Sequence, residues 1–467
     1  MKVTLRLEPL GAAVETQSGV PLRDLLLPFG VEFPCGGKGR CRRCRVRVLD
    51  GAVTCESPEA DGWTLACHSH AATDATLEIG QFESPILADD RPFPFHPREG
   101  LGIAIDVGTT TLVAQLVHLR TGKVLGVRTG LNPQAAWGAD VMTRIEHALR
   151  LDGRIQLRDC IQRSVNGMVA ELAAGRPVEA TAICGNTAML HLYHGLDPCP
   201  LSAAPFEPLH LEAPNGWMPC LGGFVGSDIL AGIVATGMHQ SDDLSVLIDL
   251  GTNGEIVVGN REAMVCASTA AGPAFEGGRI SCGMRAVTGA ISEAAIRSGG
   301  LDCAVIGGGA ARGICGSGLV DAVGAGLDLN LIAPSGRMRE QLQLGSGLAL
   351  TQADVRELQL AKAAIAAGVR VLLAGLGAKR ESVRRVWLAG AFGNYVNRAS
   401  ARRIGLIEFP EEVVESAGNT AILGAKIALF APDPGFGAVR SRVRHIALAA
   451  DPDFQDQYVE AMPFPSR

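Results

Sequence analysis

The sequence predicts a multidomain α/β protein in which a small, strand-rich domain with a four-cysteine loop precedes a larger, internally duplicated α/β fold. Three observations carry this reading. Cys35, Cys41, Cys44 and Cys67 are spaced C-x5-C-x2-C-x22-C. The element strand–Asp-x-Gly-Thr–strand occurs at Asp106-Val107-Gly108-Thr109 and again, 143 residues later, at Asp249-Leu250-Gly251-Thr252. Between the two regions lies a segment carrying Pro85, Pro92, Pro94 and Pro97. At 467 residues the chain is too long for one ordinary core.

Composition excludes several classes. With 47% hydrophobic and 19% charged residues the chain is not intrinsically disordered. A net charge of −6 leaves no electrostatic footprint for nucleic acid. No uninterrupted apolar run approaches the ~18 residues of a membrane span, and residues 1–11 lack a signal-peptide core, so a cytoplasmic protein with no membrane partner is expected. Aromatics are only 4%, so Leu, Val, Ile and Ala must build the cores. Six lysines against 36 arginines are read as genome composition.

The first domain, residues 1–81, opens with Lys2–Glu8, where Val3, Leu5 and Leu7 alternate inward as a strand. Residues 22–27 form a short helix, and residues 45–49 alternate again, with Val46 and Val48 on one face. Between them Gly36, Gly37 and Gly39 let the backbone wrap closely around a ligand, with amides free to point at sulfide. Four thiolates on such a loop suit a [2Fe–2S] cluster. Structural zinc is the alternative, but zinc usually takes two short knuckles, and only Cys41 and Cys44 are close. The remaining nine cysteines show no second cluster spacing and read as core; Cys55 is expected in an exposed turn, outside the ligand set. Lys38, Arg40, Arg42, Arg43, Arg45 and Arg47 surround the loop, as a solvated face or as a docking patch for an acidic redox partner. The domain resembles the β-grasp ferredoxins, with the x5 spacing of the adrenodoxin-like branch. That resemblance makes Cys35, Cys41, Cys44 and Cys67 the cluster ligands.

Residues 82–100 read as a stiff linker, because proline at this density forbids helix and most strand pairing. Beyond it, residues 101–240 and 241–450 are expected as two ATPase subdomains, with 451–467 a C-terminal tail. Each glycine turn of the repeat exposes amides and hydroxyls to phosphate oxygens, at Gly108, Thr109 and Thr110 and at Gly251, Thr252 and Asn253. Asp106 and Asp249 stand ready to hold hydrated Mg2+. A strand ending in the glycine turn Gly390-Ala391-Phe392-Gly393-Asn394, and a second turn at Gly316-Ser317-Gly318, would line the adenosine side. Thr351 and Asp354 form a capping box, and the helix is expected to run to about Leu376. Lys362 falls on its apolar stripe, either as a snorkelling core-edge lysine or facing the interdomain cleft toward nucleotide. Asp228 is the candidate for orienting the attacking water, with a helix-capping role as its alternative; Gln115 and Glu255 are weaker candidates. These parts in this order resemble the duplicated acetate and sugar kinase/Hsp70/actin superfamily of ribonuclease H-like ATPases.

The whole chain, to about residue 450, resembles the reductive activators of corrinoid proteins. Asn132-Pro133-Gln134 with Gly138-Ala139-Asp140-Val141, Gly185-Asn186-Thr187-Ala188, residues 268–277 and Gly418-Asn419-Thr420 fit that family. The resemblance implies an ATP-dependent activator that takes an electron from a low-potential donor and passes it to an inactive Co(II) corrinoid protein, restoring Co(I). Clusters of this kind lie near about −400 mV. An acceptor roughly 200 mV lower makes the transfer uphill by about 4–5 kcal/mol, a bias that nucleotide binding or hydrolysis can supply. Homodimerisation is a further expectation of the resemblance. Better-known members carry an extra domain between cluster and ATPase, so a short form lacking it is expected here. Two other classes share the motifs: a small-molecule kinase with a redox-sensing cluster, and a redox or assembly module that binds ATP without hydrolysing it. The 2-hydroxyacyl-CoA dehydratase activators share the ATPase logic but bridge subunits with a [4Fe–4S] cluster, which the ferredoxin-like cysteines argue against.

Overall fold

The computed structural model describes residues 1–8, 12–26, 29, 31, 44–55, 62–79, 93–138, 140–251, 253–287, 289–297, 299–430 and 436–466. Cys35, Cys41, Thr252, the cations Lys38, Arg40, Arg42 and Arg43, and linker residues 82–92 lie outside them.

The alternation of Val3, Leu5 and Leu7 buries those three side chains, as a period-two pattern requires. They face a core completed by Leu22 and Leu26 of the Leu22–Leu26 helix and by Val46, Leu77 and Ile79. The five-stranded sheet runs Ala12–Gln17, Lys2–Glu8, Ser69–Ile79, Arg45–Cys55, Trp63–Leu65. The strands that come first and last along the chain, Lys2–Glu8 and Ser69–Ile79, lie side by side and parallel, Leu5 opposite Ala75 and Leu7 opposite Leu77. Cys55 ends the Arg45–Cys55 strand opposite Ser69 rather than lying in an exposed turn, and its thiol accepts a bond from Thr64 Oγ1 at 2.7 Å.

The duplication is topological as well as sequential. One sheet places Val124–Leu131, Thr111–His118 and Leu101–Val107 as an antiparallel meander, with Ala180–Gly185 added parallel to Leu101–Val107. The other has the meander Ser245–Leu250, Gly254–Gly259, Met264–Thr269, with Arg385–Ala389 added parallel to Ser245–Leu250 in the same place. Val414–Gly418 and Val443–His445 extend its two edges. Two helices, Ser227–Thr236 and Thr420–Ala428, pack on each other between the sheets and share one core with Ala104, Cys184, Leu247 and Val257. That core brings the ends of both hairpins together.

The second part of the linker is packed, because Phe93 and Phe95 close on Phe430 with ring centroids 5.4 and 4.5 Å apart and Arg98 donates to the Leu429 carbonyl. The C-terminal segment is likewise docked: the Phe454–Glu460 helix lies on the Gln352–Gly375 helix, and Phe464 is 2% exposed. The Gln352–Gly375 helix, with Thr351 and Asp354 as its capping box, is long and apolar enough to cross a membrane, a stretch the search for unbroken apolar runs passed over. It is a core helix, buried along most of its length, and the sequence pattern of one apolar stripe gives no sign of how fully it is enclosed.

Candidate functional site: a carboxylate cleft and a thiolate pair

Each strand-end aspartate is followed two residues later by a glycine whose amide is held by a carbonyl just beyond it, three residues on in the first hairpin and two in the second. The Gly108 amide donates to the Thr111 carbonyl at 3.1 Å, and the Gly251 amide to the Asn253 carbonyl at 3.1 Å. The turns leave Asp106 and Asp249 half-buried at the ends of facing strands. Their charges feel each other and that of Asp228, and Glu255 joins through Asp228 and Asp249. Burial pushes the Asp106 carboxyl up to about 7 and the Asp249 carboxyl up to about 6. Burial first, and then the neighbouring carboxylates, raise Asp228 and Glu255 well above the usual range. Four acidic groups crowded into one cleft are an unfavourable arrangement for the protein alone. Oxygen-only donors of this kind suit Mg2+, whose charge relieves the crowding. No three of them draw close enough to form a complete cage among the described residues, so the donor set fits a hydrated ion shared with phosphates.

The sign of the pH effect follows. Below about pH 4 the carboxyls are protonated both folded and unfolded, and contribute nothing. As pH rises toward about 7 the unfolded chain loses these protons first, because Asp106 and Asp249 hold theirs to about 7 and about 6 when folded, so the metal-free fold is destabilised. Thermal melts should therefore show a larger Mg2+-induced rise in Tm at about pH 8 than at about pH 5.5. An equal rise at both would place Mg2+ elsewhere.

Side chains to which the sequence reading gave no site role hold the cleft. Asn132, fully buried, donates from Nδ2 to the Gly108 carbonyl at 2.9 Å. Arg144, 1% exposed, donates to the Thr109 carbonyl at 2.6 Å and to the Gly138 carbonyl at 2.9 Å. Asn186 Nδ2 donates to Thr109 Oγ1 at 2.9 Å, while its Oδ1 caps the Thr187–His194 helix. Asn419 donates to the Asp106 carboxylate and caps the Thr420–Ala428 helix. Asn186 and Asn419 lie in strings already noted for the family resemblance, and each stands in Gly-Asn-Thr-Ala at a strand end, a second repeat parallel to the Asp-x-Gly-Thr one.

Of the remaining expected site residues, Gly390 lies against Asp249: a Cβ there would come 2.6 Å from Asp249 Oδ1, and its φ of +81° disfavours any side chain. The segment Gly390–Tyr395 is a short helix rather than a glycine turn. Its Phe392 stacks on Phe275 at 4.7 Å, and Asn394 Oδ1 accepts from the Gly418 amide at 2.9 Å, tying this helix to the Asn419 cap. Gly316 and Gly318 begin the Gly316–Asp328 helix, and both are packed on protein: Cβ atoms there would meet the Phe275 carbonyl at 1.9 Å and the Ile291 carbonyl at 2.3 Å. Packing explains them. Asp228 follows the cap Gly226 in the first turn of its helix, and its carboxylate accepts from the Ile229 amide at 2.8 Å. Gln115 lies opposite Ala104, on the same sheet face as Asp106, and neither polar atom of its buried amide has a protein partner.

Lys362 does not face the cleft. It is 2% exposed, donates from Nζ to the Pro463 carbonyl at 2.6 Å and lies 5.4 Å from the Phe464 ring centroid, with burial lowering its pKa to about 8. The ammonium anchors the C-terminal segment, which folds back over the stripe that the sequence pattern left open. Lys362→Met should cost about 1–3 kcal/mol in denaturant unfolding while leaving the nucleotide Kd unchanged. A several-fold weaker Kd at unaltered stability would return Lys362 to the cleft.

At the other end of the chain Cys44 and Cys67 bring their Sγ atoms to 3.2 Å without a disulfide between them. The Ala66 amide donates to the Cys44 carbonyl, fixing the two segments together. Two thiolates so placed can share one iron. Arg45 stacks on Trp63 at 4.8 Å and Arg47 lies 4.0 Å from Glu78, so both described cations of the loop are engaged inside the protein.

A duplicated hairpin clamp around buried carboxylates, joined to a sulfur-ligated β-grasp domain, defines an ATPase of the acetate and sugar kinase/Hsp70/actin class with an electron-carrying module. Three family descriptions match in chain order: a 2Fe-2S iron-sulfur cluster binding domain over residues 6–72, the RACo middle region over 101–216, and the C-terminal ASKHA domain of RACo over 243–467. The corrinoid activation enzyme RamQ of Eubacterium limosum is 35% identical, over 91% of this chain and 92% of its own. The [Co(II) methylated amine-specific corrinoid protein] reductase of Methanosarcina barkeri is 26% identical, over 70% of this chain and 69% of its own. A solved reductive activator for corrinoid, iron-sulfur protein superposes with a TM-score of 0.69 at 28% identity, over 99% of this chain and 98% of that one. The chain belongs to the family of corrinoid-protein reductive activators. Its cofactors are a [2Fe–2S] cluster, ATP and Mg2+.

The expected short form is overturned, because the RACo middle region matches residues 101–216. That stretch contains the first Asp-x-Gly-Thr hairpin. Reading the hairpin as half of an ATPase left no residues over for a middle region, although the middle region itself carries the hairpin.

Proposed function

We propose that this protein uses ATP to pass one electron from its [2Fe–2S] cluster to a corrinoid protein inactivated as Co(II), returning it to Co(I), and that an external low-potential donor re-reduces the cluster. The observation that carries this reading is the joint presence, in one chain, of the Cys44–Cys67 thiolate pair and the convergent Asp106, Asp228, Asp249 and Glu255. The cluster supplies one-electron storage at low potential. Cys35, Cys41, Cys44 and Cys67 hold it. Asp106 and Asp249 hold Mg2+, and the turns Gly108-Thr109-Thr110 and Gly251-Thr252-Asn253 receive the phosphates. Gly390, Ala391, Phe392, Gly393 and Asn394 border the adenosine side. Asp228, in the first turn of its helix and within reach of the charges of Asp106 and Asp249, orients the attacking water.

The test is anaerobic spectroscopy of a Co(II) corrinoid protein mixed with the reduced chain. Co(I) absorbance should appear only when reduced cluster and Mg-ATP are both present, and ATP hydrolysis should rise when the Co(II) protein is added. Reduction at full rate and to full extent without nucleotide would assign the ATPase to another task.

A further inference from the structure

Among the described residues, the cluster domain touches both halves of the ATPase clamp. On the first half, Arg23 Nη2 donates to the Ala136 carbonyl at 2.9 Å. Ala136 ends the Pro133–Ala136 turn, whose cap Asn132 holds the Gly108 carbonyl of the first phosphate turn. On the second half, Arg312 Nη1 lies 3.3 Å from Glu78 Oε1, and its guanidinium carbon is 5.8 Å from the Trp63 ring centroid. Arg312 is held in place from behind. Its amide donates to the Gly289 carbonyl at 2.8 Å, and its side chain lies across Gly289, where a Cβ would come 2.5 Å from Cδ.

The docked edge is the one that carries the cluster ligands. Trp63 begins the short strand that leads to Cys67, and Arg45, which also stacks on Trp63, follows Cys44. Glu78 is shared between Arg47 inside the cluster domain and Arg312 outside it. Arg23, Arg312 and Glu78 all keep partial contact with water, so each link is weak and easily broken. A weak contact made simultaneously to two bodies holds only while their spacing is right.

We propose that Ala136 and Arg312 form a docking surface for the chain's own cluster domain, and that clamp closure on Mg-ATP changes their spacing and releases that domain toward its electron acceptor. The nucleotide-free chain is then a resting state, with the edge beside Cys44 and Cys67 occupied. The proposal rests on the reading of the two hairpins as a nucleotide clamp.

The test is small-angle scattering of the full chain with its cluster in place, without nucleotide and with a non-hydrolysable Mg-ATP analogue, with analogue binding measured separately by calorimetry. Wild type should be compact without nucleotide and shift to a larger radius of gyration with the analogue. Arg312→Glu should already be expanded without nucleotide and should change little on adding it. Glu78→Arg alone should expand the chain as well, and combining it with Arg312→Glu should restore compactness by reversing the pair. Thermal melts and cluster absorbance confirm that each variant is folded. Wild-type scattering from both single variants without nucleotide would overturn the docking surface. Unchanged wild-type scattering with the analogue bound would overturn the release. Failure of the wild type to bind the analogue would instead sink the clamp reading, and the charge-reversal result would still decide whether the surface exists.

Discussion

Asp249→Ala is expected to lower Mg-ATP hydrolysis by roughly 100-fold or more, the usual scale for removing a group that stabilises transition-state charge, while leaving the cluster absorbance unchanged. Asp249 lies beside Gly390 at the end of a central strand and is crowded by the neighbouring acids. Its carboxyl, raised by burial to about 6, gains from a proton or a cation and not from any protein partner shown for it. Removing it should therefore cost the metal-free protein little stability, and should relieve repulsion on Asp228 and Glu255. A coupled ATPase assay and a thermal melt on one preparation check both halves of this expectation. A variant with wild-type hydrolysis would remove Asp249 from the site. A variant that loses the cluster spectrum would show that the two sites are not separable.

Cys67→Ser should abolish or severely deplete the [2Fe–2S] spectrum and with it all reduction of Co(II), whereas Cys55→Ser should retain both. The two cysteines stand 12 positions apart near one sheet, and their surroundings separate them. The Cys67 thiol lies 3.2 Å from that of Cys44, another ligand in the C-x2-C run. Cys55 pairs across the sheet with Ser69 and shares a hydroxyl network with Thr64, so serine can replace it within the same hydrogen bonds. Iron content and visible absorbance of anaerobically purified protein make the comparison. Full iron in Cys67→Ser, or none in Cys55→Ser, would exchange their roles.

Local chemistry with a fixed spacing was legible without the fold. The C-x5-C-x2-C run, the two Asp-x-Gly-Thr turns, the Thr351 capping box and the alternation of Val3, Leu5 and Leu7 each need only a few neighbouring residues. Backbone geometry translates such spacings directly into turns, caps and faces. Gly316 and Gly318 mark the limit of this reading. A glycine required for helix packing and one required for close approach of an adenosine look the same in a sequence, and only the carbonyls of Phe275 and Ile291 distinguish them.

What the sequence determined by itself was therefore the inventory: a sulfur-ligated domain, a duplicated hairpin and the acids at their ends. What the tertiary structure decided was which of those groups meet. Asp228 and Glu255 join Asp106 and Asp249 because two helices packed between the sheets bring both hairpin ends into one cleft. Arg144 and Asn186 reach Thr109 across 35 and 77 residues of chain. Lys362 was drawn away from that cleft by a C-terminal carbonyl 101 residues further on. Contacts of such separation carry no periodicity, since they depend on where packed layers place two surfaces, and burial there sets proton affinity and hydrogen-bonding demand together.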